Sequence, residues 1–169
     1  YIDIHDNLIF LKDGKSFLWT SERDGFNHIY KFGYDGSVKQ LTKGEWDVVE
    51  FMGYDESKKK IYFSSSMRGA TQQHLHSVDF GGKILTLDDT PGHHSANFSA
   101  NFSYRIHNHS DANTPPMYTL RDRKGNVVRT LKSNENLKNT LSEYDYSEKE
   151  FFSFSNSSEI LFSKTDCGN

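Results

Sequence analysis

The chain has little cysteine and no long hydrophobic run. A single cysteine, Cys167, excludes an internal disulfide and a metal site built from several cysteines. No stretch approaches the roughly 18 consecutive apolar residues that a membrane-spanning helix needs. The formal net charge is −3 and the isoelectric point is about 6.2, so a basic surface for nucleic acid is not expected. Composition therefore predicts neither a membrane span nor a nucleic-acid partner.

Recognisable targeting and catalytic signals are also missing. The first residue is Tyr1, and no signal peptide follows it. We expect the chain to be a piece of a longer protein whose compartment cannot be read from this segment. The pentapeptide Gly-x-Ser-x-Gly, which holds a nucleophilic serine on a strained strand-to-helix turn, does not occur. The sequence thus predicts no catalytic machinery of its own.

What the chain does have is aromatic residues in a repeating pattern. Aromatics make up 14% of the 169 residues, a composition that favours β-sheet. Three markers recur at intervals of 42 to 46 residues: an apolar strand at 17–19, 61–63 and 104–106, a second strand at 29–30, 75–76 and 117–118, and the leucines Leu41, Leu87 and Leu131. A repeat of this length is typical of a propeller blade.

Each repeat carries the same turn signals. Dipeptides that favour a two-residue hairpin turn separate the third and fourth strands, at 35–36, 81–82 and 124–125. Polar turns precede the second strand, at 12–15, 55–58 and 99–101. For the middle repeat we predict strands near 48–53, 60–66, 73–79 and 83–87, with a β-bulge near Ser77.

These patterns predict an all-β fold, a partial β-propeller of about three four-stranded antiparallel blades. An ordinary β-sandwich is the alternative, because its turn signals also recur regularly. After Leu131, the spacing of Leu137, Leu141 and Tyr144 predicts a short exit helix, capped by Ser133 or Asn134. Two terminal strands should follow, near 150–154 and 160–162.

Five stretches carry a further signal: residues 19–30 (WTSERDGFNHIY), 41–48 (LTKGEWDV) and 110–120 (SDANTPPMYTL), followed by 134–137 and 149–152. They resemble the dipeptidyl peptidase IV group of the prolyl oligopeptidase family, in particular its bacterial members. In that family an eight-bladed propeller caps an α/β-hydrolase domain with a Ser-Asp-His triad. Its enzymes remove dipeptides with Pro or Ala second from a free N-terminus.

The resemblance places this chain at the C-terminal blades of that propeller. It implies a partial propeller over residues 1–144 and exit strands over 145–169 that lead towards an α/β-hydrolase domain absent from the chain. The family's substrate-gripping glutamates lie upstream of the matching residues, and its serine elbow and oxyanion tyrosine lie downstream. Beyond Ser155 the likeness fades. No catalytic, cofactor-binding or metal-binding residue is therefore assigned, and no cofactor is expected.

Eight histidines suggest a metal site, especially the pairs His74/His76, His107/His109 and His93/His94. Alternate residues on a strand share a face and can chelate zinc. No carboxylate is fixed nearby by sequence spacing, so we interpret them as surface histidines on blade edges.

Three further features have structural interpretations. Residues 22–25 are predicted to be a solvated turn, and the proline loop at 111–116 to be either a rigid connection or a contact with a neighbouring domain. Four Asn-x-Ser sequons, at Asn97, Asn101, Asn108 and Asn156, are interpreted as coincidental.

The sequence leaves two functions open. The first is the substrate-gating propeller portion of a periplasmic or cell-surface serine exopeptidase. Its partners would be the hydrolase domain, peptide substrates and, for the isolated piece, another copy of itself. Three blades cannot close into a ring, so we expect the two end sheets to expose apolar faces with residues such as Phe17, Trp19, Ile61 and Phe63. The second is a stand-alone propeller that binds proteins and has no hydrolase.

Overall fold

The computed structural model describes residues 5–145, 147–155 and 160–165, and the side chains of 5–145 and 147–152. Cys167 and the sequon at Asn156 lie outside the described residues.

Three four-stranded antiparallel sheets follow one another along the chain, as the repeat predicted. The first blade contains β1 (Ile9–Phe10), β2 (Ser16–Ser21), β3 (His28–Gly33) and β4 (Val38–Gln40). The second contains β5 (Val48–Asp55), β6 (Lys60–Ser65), β7 (His74–Asp79) and β8 (Ile84–Thr86). The third contains β9 (His93–Phe98), β10 (Tyr104–Ser110), β11 (Met117–Asp122) and β12 (Val127–Lys132). Within each blade the strands pair in sequence order, which confirms the partial propeller.

The hairpins between the third and fourth strands are one residue longer than predicted. In the second blade, Asp79 N–H donates to Lys83 O at 3.3 Å, so the loop holds three residues and not two. Gly82 closes it with φ +85°, and its N–H donates to Asp79 O at 3.0 Å. The other two blades repeat this pattern around Gly36 and Gly125. This is the three-residue hairpin in which a type I turn precedes a left-handed residue.

The predicted bulge near Ser77 is wrong. β7 pairs with β6 and β8 without a shift in register, and the irregularities of this blade lie in β5, between Val48 and Glu50 and between Phe51 and Gly53. The prediction depended on an imperfect alternation of apolar residues. Residues 74–78 are all buried, because neighbouring blades cover both faces, so no alternation is required.

We call the contact between the first and second blades the first junction, and that between the second and third blades the second junction. The apolar core lies at the first junction, where the central residues are Leu18, Ile29, Ile61 and Phe63, all 0% exposed. The second junction is partly aromatic, with the ring of Tyr62 5.0 Å from that of Phe102.

After the third blade, α1 (Glu135–Leu141) precedes a hairpin of β13 (Glu150–Ser155) and β14 (Ile160–Thr165), as predicted. Asn134 occupies the N-cap position, but its side chain does not cap the helix. Its Nδ2 instead donates to Pro116 O, and Tyr144 lies beyond the helix end. Within the described residues, no helix is both long enough and apolar enough to cross a membrane.

Candidate functional site: a histidine cluster between two blades

A histidine at the start of the third strand anchors the segment that leaves the blade. In the first blade, His28 Nδ1 lies 3.1 Å from Thr42 Oγ1, which also accepts the Ile29 N–H at 2.9 Å. In the second blade, His74 Nδ1 lies 2.7 Å from Asp88 Oδ1, while Asp88 Oδ2 accepts the Leu75 N–H at 3.0 Å. The two arrangements are 46 residues apart, so they are the same structural device.

Most of the histidines are buried, so their interpretation as surface residues is wrong. His28, His74, His76, His94 and His107 are at most 2% exposed, and His93 is exposed. Asp88 is the nearby carboxylate that sequence spacing did not predict. The fold brings it beside the imidazoles of His74 and His94. The prediction of no metal site depended on two premises, that the histidines lie at the surface and that no carboxylate is fixed near them.

The histidine cluster, as we name it, consists of His74, Asp88, His94, His107 and His109. His94 lies at its centre, with Nε2 2.7 Å from Thr90 O and 3.2 Å from Asp88 Oδ1. Its Nδ1 lies 2.9 Å from His107 Nε2. The ring of His94 stacks on that of His109 at 4.5 Å and on that of His74 at 5.1 Å.

These contacts fix the positions of the protons on neutral His94 and His107 rings. A backbone carbonyl only accepts, so His94 Nε2 carries the proton that faces Thr90 O. His94 Nδ1 then accepts from His107 Nε2–H. The remaining nitrogen, His107 Nδ1, is an unprotonated acceptor, and it has no hydrogen-bond partner among the described residues. An unprotonated Nδ1 is consistent with the lack of a partner, because a buried N–H without an acceptor would be destabilising.

Burial favours the neutral form of His94 and His107 in the cluster, and of His76 beside it. Desolvation lowers the pKa of His107 to about 3, and the nearby Arg121 acts in the same direction. Desolvation also lowers the pKa of His76 to about 4, against the opposing effect of Asp88. The pKa of His94 is lowered by burial as well, again partly offset by Asp88. Imidazoles around a buried carboxylate form a set of donors suited to a divalent cation.

The first junction shows what the fold itself requires at these positions. Val48 N–H donates to Asn27 O at 2.8 Å, and His94 N–H donates to Gln73 O at 2.8 Å, so Val48 and His94 are equivalent. Val48 pairs with Ser65 and His94 pairs with His109, so Phe63 of the second blade corresponds to His107 of the third. This register differs by one residue from the apolar markers at 61–63 and 104–106. The first junction is thus apolar where the second carries imidazoles. This difference between apolar residues and histidines can be seen when the repeats are aligned, but the prediction of strand positions does not use it.

Arg105 adds a buried cation to the second junction. It occupies the position of Ile61 in the preceding blade, and it is 3% exposed. One amino group lies 3.4 Å from Leu87 O, and Nε has no hydrogen-bond partner among the described residues. Burial lowers its pKa, and Arg121 lowers it further. The two buried side chains that β10 contributes to the second junction, Arg105 and His107, are therefore both polar.

The other features singled out in the sequence lie at the surface. Residues 22–25 form the predicted turn, closed by Gly25 N–H donating to Glu22 O at 3.0 Å. The proline loop contacts the segment after the helix, because Lys149 N–H donates to Asn113 Oδ1 at 2.8 Å and Asn113 Nδ2 donates to Lys149 O at 3.1 Å. A cavity of about 550 Å³ lies between this loop and α1, lined by Pro115, Leu137 and Leu141 among others. The loop therefore joins the third blade to the exit segment.

Comparison with known proteins gives one consistent result. The family described as "Dipeptidyl peptidase IV (DPP IV) N-terminal region" matches residues 1–116. The chain is 34% identical over 159 residues to dipeptidyl peptidase 4 of Trichophyton rubrum, covering 87% of this chain and 20% of that protein. It is 32% identical over 159 residues to dipeptidyl peptidase 4 of Arthroderma otae, with the same coverage. The chain thus spans about one fifth of the length of these curated relatives.

A solved structure agrees with these relatives. The crystal structure of Porphyromonas gingivalis dipeptidyl peptidase 4 superposes with a TM-score of 0.81 at 32% identity, covering 93% of this chain and 22% of that one. Fungal and bacterial proteins are both similar, so a bacterial source for this chain stays a prediction. The family match covers well over half of the sequence. The chain belongs to the dipeptidyl peptidase IV family, within its N-terminal propeller region.

Proposed function

We propose that this chain is the non-catalytic propeller portion of a serine exopeptidase, where it scaffolds the enzyme and gates access of substrate to a catalytic domain. The observation that carries the proposal is the family match to the N-terminal region, over a chain that spans about one fifth of its relatives. The absence of Gly-x-Ser-x-Gly from the sequence supports a role without chemistry.

The proposal divides the chain into a partial propeller at 1–144 and exit strands at 145–169 that lead towards an α/β-hydrolase domain. The contact between Asn113 and Lys149 supports this arrangement, because it fixes the exit segment against the third blade. The hydrolase domain is then the principal partner, and the proline loop lies on the side of the blade from which the exit segment leaves.

The parent protein is proposed to release N-terminal X-Pro and X-Ala dipeptides, in the periplasm or at the cell surface. The names of the relatives support the dipeptidyl peptidase activity. In this arrangement, the blades contribute walls that admit short peptide ends and exclude folded proteins.

The activity is tested with two proteins and one substrate. We expect the 169-residue chain to release no product from a Gly-Pro chromogenic peptide, since it lacks a nucleophile elbow. The full-length protein should turn the same peptide over. Turnover by the chain that survives repurification contradicts the non-catalytic role. A full-length protein without a Gly-x-Ser-x-Gly sequence downstream would instead support the stand-alone binding propeller.

Gating is tested separately on the full-length enzyme. The same Gly-Pro N-terminus is presented on a short peptide and on a stably folded protein of similar charge. A gate predicts rapid cleavage of the peptide and little cleavage of the folded protein, with cleavage recovered when that protein is unfolded. Equal rates on both substrates would exclude steric gating.

A further inference from the structure

The second junction holds more ligand-type side chains than the fold requires. The first junction completes the same anchor with Thr42 in place of Asp88, and packs Val48 where the second junction has His94. A hydroxyl and an apolar side chain are therefore sufficient at these positions. A buried carboxylate is expensive unless it is paired or binds a metal. Asp88 is paired with two imidazoles, a combination of ligand groups that the first junction folds without.

Four donor atoms approach one another at this place. His74 Nδ1 lies 2.7 Å from Asp88 Oδ1, and His94 Nε2 lies 3.2 Å from the same oxygen. Thr90 O lies 2.7 Å from His94 Nε2. The three side-chain donor atoms all lie within 4.8 Å of one another, and all three residues are buried.

We propose that the second junction is a binding site for a divalent transition metal, Zn²⁺, held by His74 Nδ1, Asp88 Oδ1, His94 Nε2 and the carbonyl oxygen of Thr90. Two imidazoles, a carboxylate and a fourth oxygen form a set that suits zinc. This proposal replaces the sequence-based prediction of no metal site, and it is independent of the proposed peptidase function.

The donor atoms must move to accept the metal. Zinc bonds of 2.0–2.2 Å in a tetrahedral site place neighbouring donors about 3.3–3.5 Å apart. The separations of 2.7 and 3.2 Å from Asp88 Oδ1 need to open by less than about 1 Å, and the two imidazole nitrogens need to reach the same spacing from a separation of at most 4.8 Å. Each imidazole would coordinate through the nitrogen that now faces Asp88 and carry its proton on the other nitrogen, so the His94 proton moves from Nε2 to Nδ1 when zinc binds.

Outer contacts already orient two of the ligands. Leu75 N–H binds the second oxygen of Asp88 at 3.0 Å, which leaves Oδ1 directed towards the imidazoles. His107 Nε2 lies 2.9 Å from His94 Nδ1, and it accepts the His94 Nδ1–H when His94 coordinates zinc. The His107 proton then lies on Nδ1, which has no partner among the described residues, so zinc binding must exceed the cost of that buried N–H. Such outer partners fix ring orientation at zinc sites.

A metal at this place would tie two blades together. His74 belongs to the second blade, His94 to the third, and Asp88 and Thr90 to the segment that connects them. Bound zinc should therefore stabilise the second junction specifically, because binding to the folded state alone raises the free energy of unfolding.

The experiment measures metal on the full-length protein that contains these residues. After treatment with EDTA and dialysis, the protein is loaded with ZnCl₂ and its zinc content is determined by mass spectrometry. Loading with CoCl₂ provides a second measurement, the visible absorbance of tetrahedral cobalt. We expect about one equivalent of zinc at this site and a cobalt spectrum of tetrahedral type.

The variants copy the first junction. Asp88→Thr and His94→Val introduce the residues that the first junction tolerates, and each should lose the site's zinc and the cobalt absorbance while the protein still folds. The matched control is His93→Gln, which removes the adjacent exposed histidine and should keep both signals. Zinc that survives both substitutions, or that is lost only in the control, overturns the proposal, as does wild-type protein that binds no zinc.

Discussion

At the scale of single residues, the notable feature is how many ionisable groups are held uncharged inside the propeller. His76 and His107 have folded-state pKa values of about 4 and about 3, because burial disfavours the charged ring. An unfolded chain would titrate both near 6.5. The native state therefore binds fewer protons than the unfolded state from a pH of about 6.5 down to the folded pKa values of about 4 and about 3.

The expected consequence is a loss of stability in mild acid. Above pH ~6.5 the two rings are neutral in both states and do not lower the free energy of unfolding, which falls as the pH drops towards each folded pKa. Each such histidine lowers the free energy of unfolding by about 1.4 kcal/mol for each pH unit in that window. Denaturant titrations with EDTA present, between pH 7.5 and 4.5, measure the slope.

A matched substitution isolates one group. His107→Phe introduces the residue that occupies the equivalent position of the second blade, Phe63, and it should flatten the pH dependence by the share of one histidine. The control is His93→Gln, whose exposed ring should leave the slope unchanged. An identical slope in the wild type and in His107→Phe would show that His107 does not titrate as its burial implies.

At the scale of elements, the hairpins show how one glycine sets a turn. Gly82 adopts φ +85°, whereas Gly81 beside it does not have a positive φ. A Cβ added at Gly81 would lie 3.0 Å from Asp79 Oδ1, the end of a side chain at the surface. The backbone conformation therefore favours glycine at Gly82 but not at Gly81, a difference that cannot be seen in the sequence.

We expect Gly82→Ala to destabilise the protein by about 1–2 kcal/mol, because left-handed backbone is unfavourable for a residue with a Cβ. Gly81→Ala should cost less, since Asp79 can shift and no left-handed conformation is involved. Thermal or denaturant unfolding of the two variants compares them directly. Equal losses, or a greater loss at Gly81, would mean that the turn differs from the one described.

At the scale of the whole molecule, the array is open at both ends. Phe10 and Trp19 are 63% and 40% exposed on the first blade, and Tyr104 and Ile106 are exposed on the third. Ile61 and Phe63, which we expected to contribute to an end face, are instead buried at the first junction. Apolar surface of this kind costs about 25 cal/mol per Å² in water, and large patches usually acquire a partner.

We therefore predict that the isolated chain self-associates at micromolar concentration through its end faces. Sedimentation velocity should show species larger than a monomer, and a hydrophobic dye should bind. Phe10→Ser combined with Trp19→Ser should reduce both signals, whereas Leu85→Ser, at an exposed residue of the second blade's outer strand, should change neither. A stable monomer with little dye binding contradicts the prediction.

The sequence by itself determined the architecture, because a blade is a local unit. Its four strands are neighbours along the chain and its turns need particular residues, so the period, the strand order and the turn positions are all encoded in the spacing of residues. Even the equivalence of Val48 with His94 is present in the repeat. The sequence could not show which faces are covered, and on that question the predictions for the histidines, for Ser77 and for Ile61 and Phe63 were wrong.

Only the tertiary structure decided what lies between the blades. Whether His74 and Asp88 meet His94 depends on how one sheet stacks on the next, a contact between strands of different sheets. Sequence spacing places residues on a strand but not against the neighbouring sheet. Burial then follows from that stacking, and it lowers the pKa of His94 and His107.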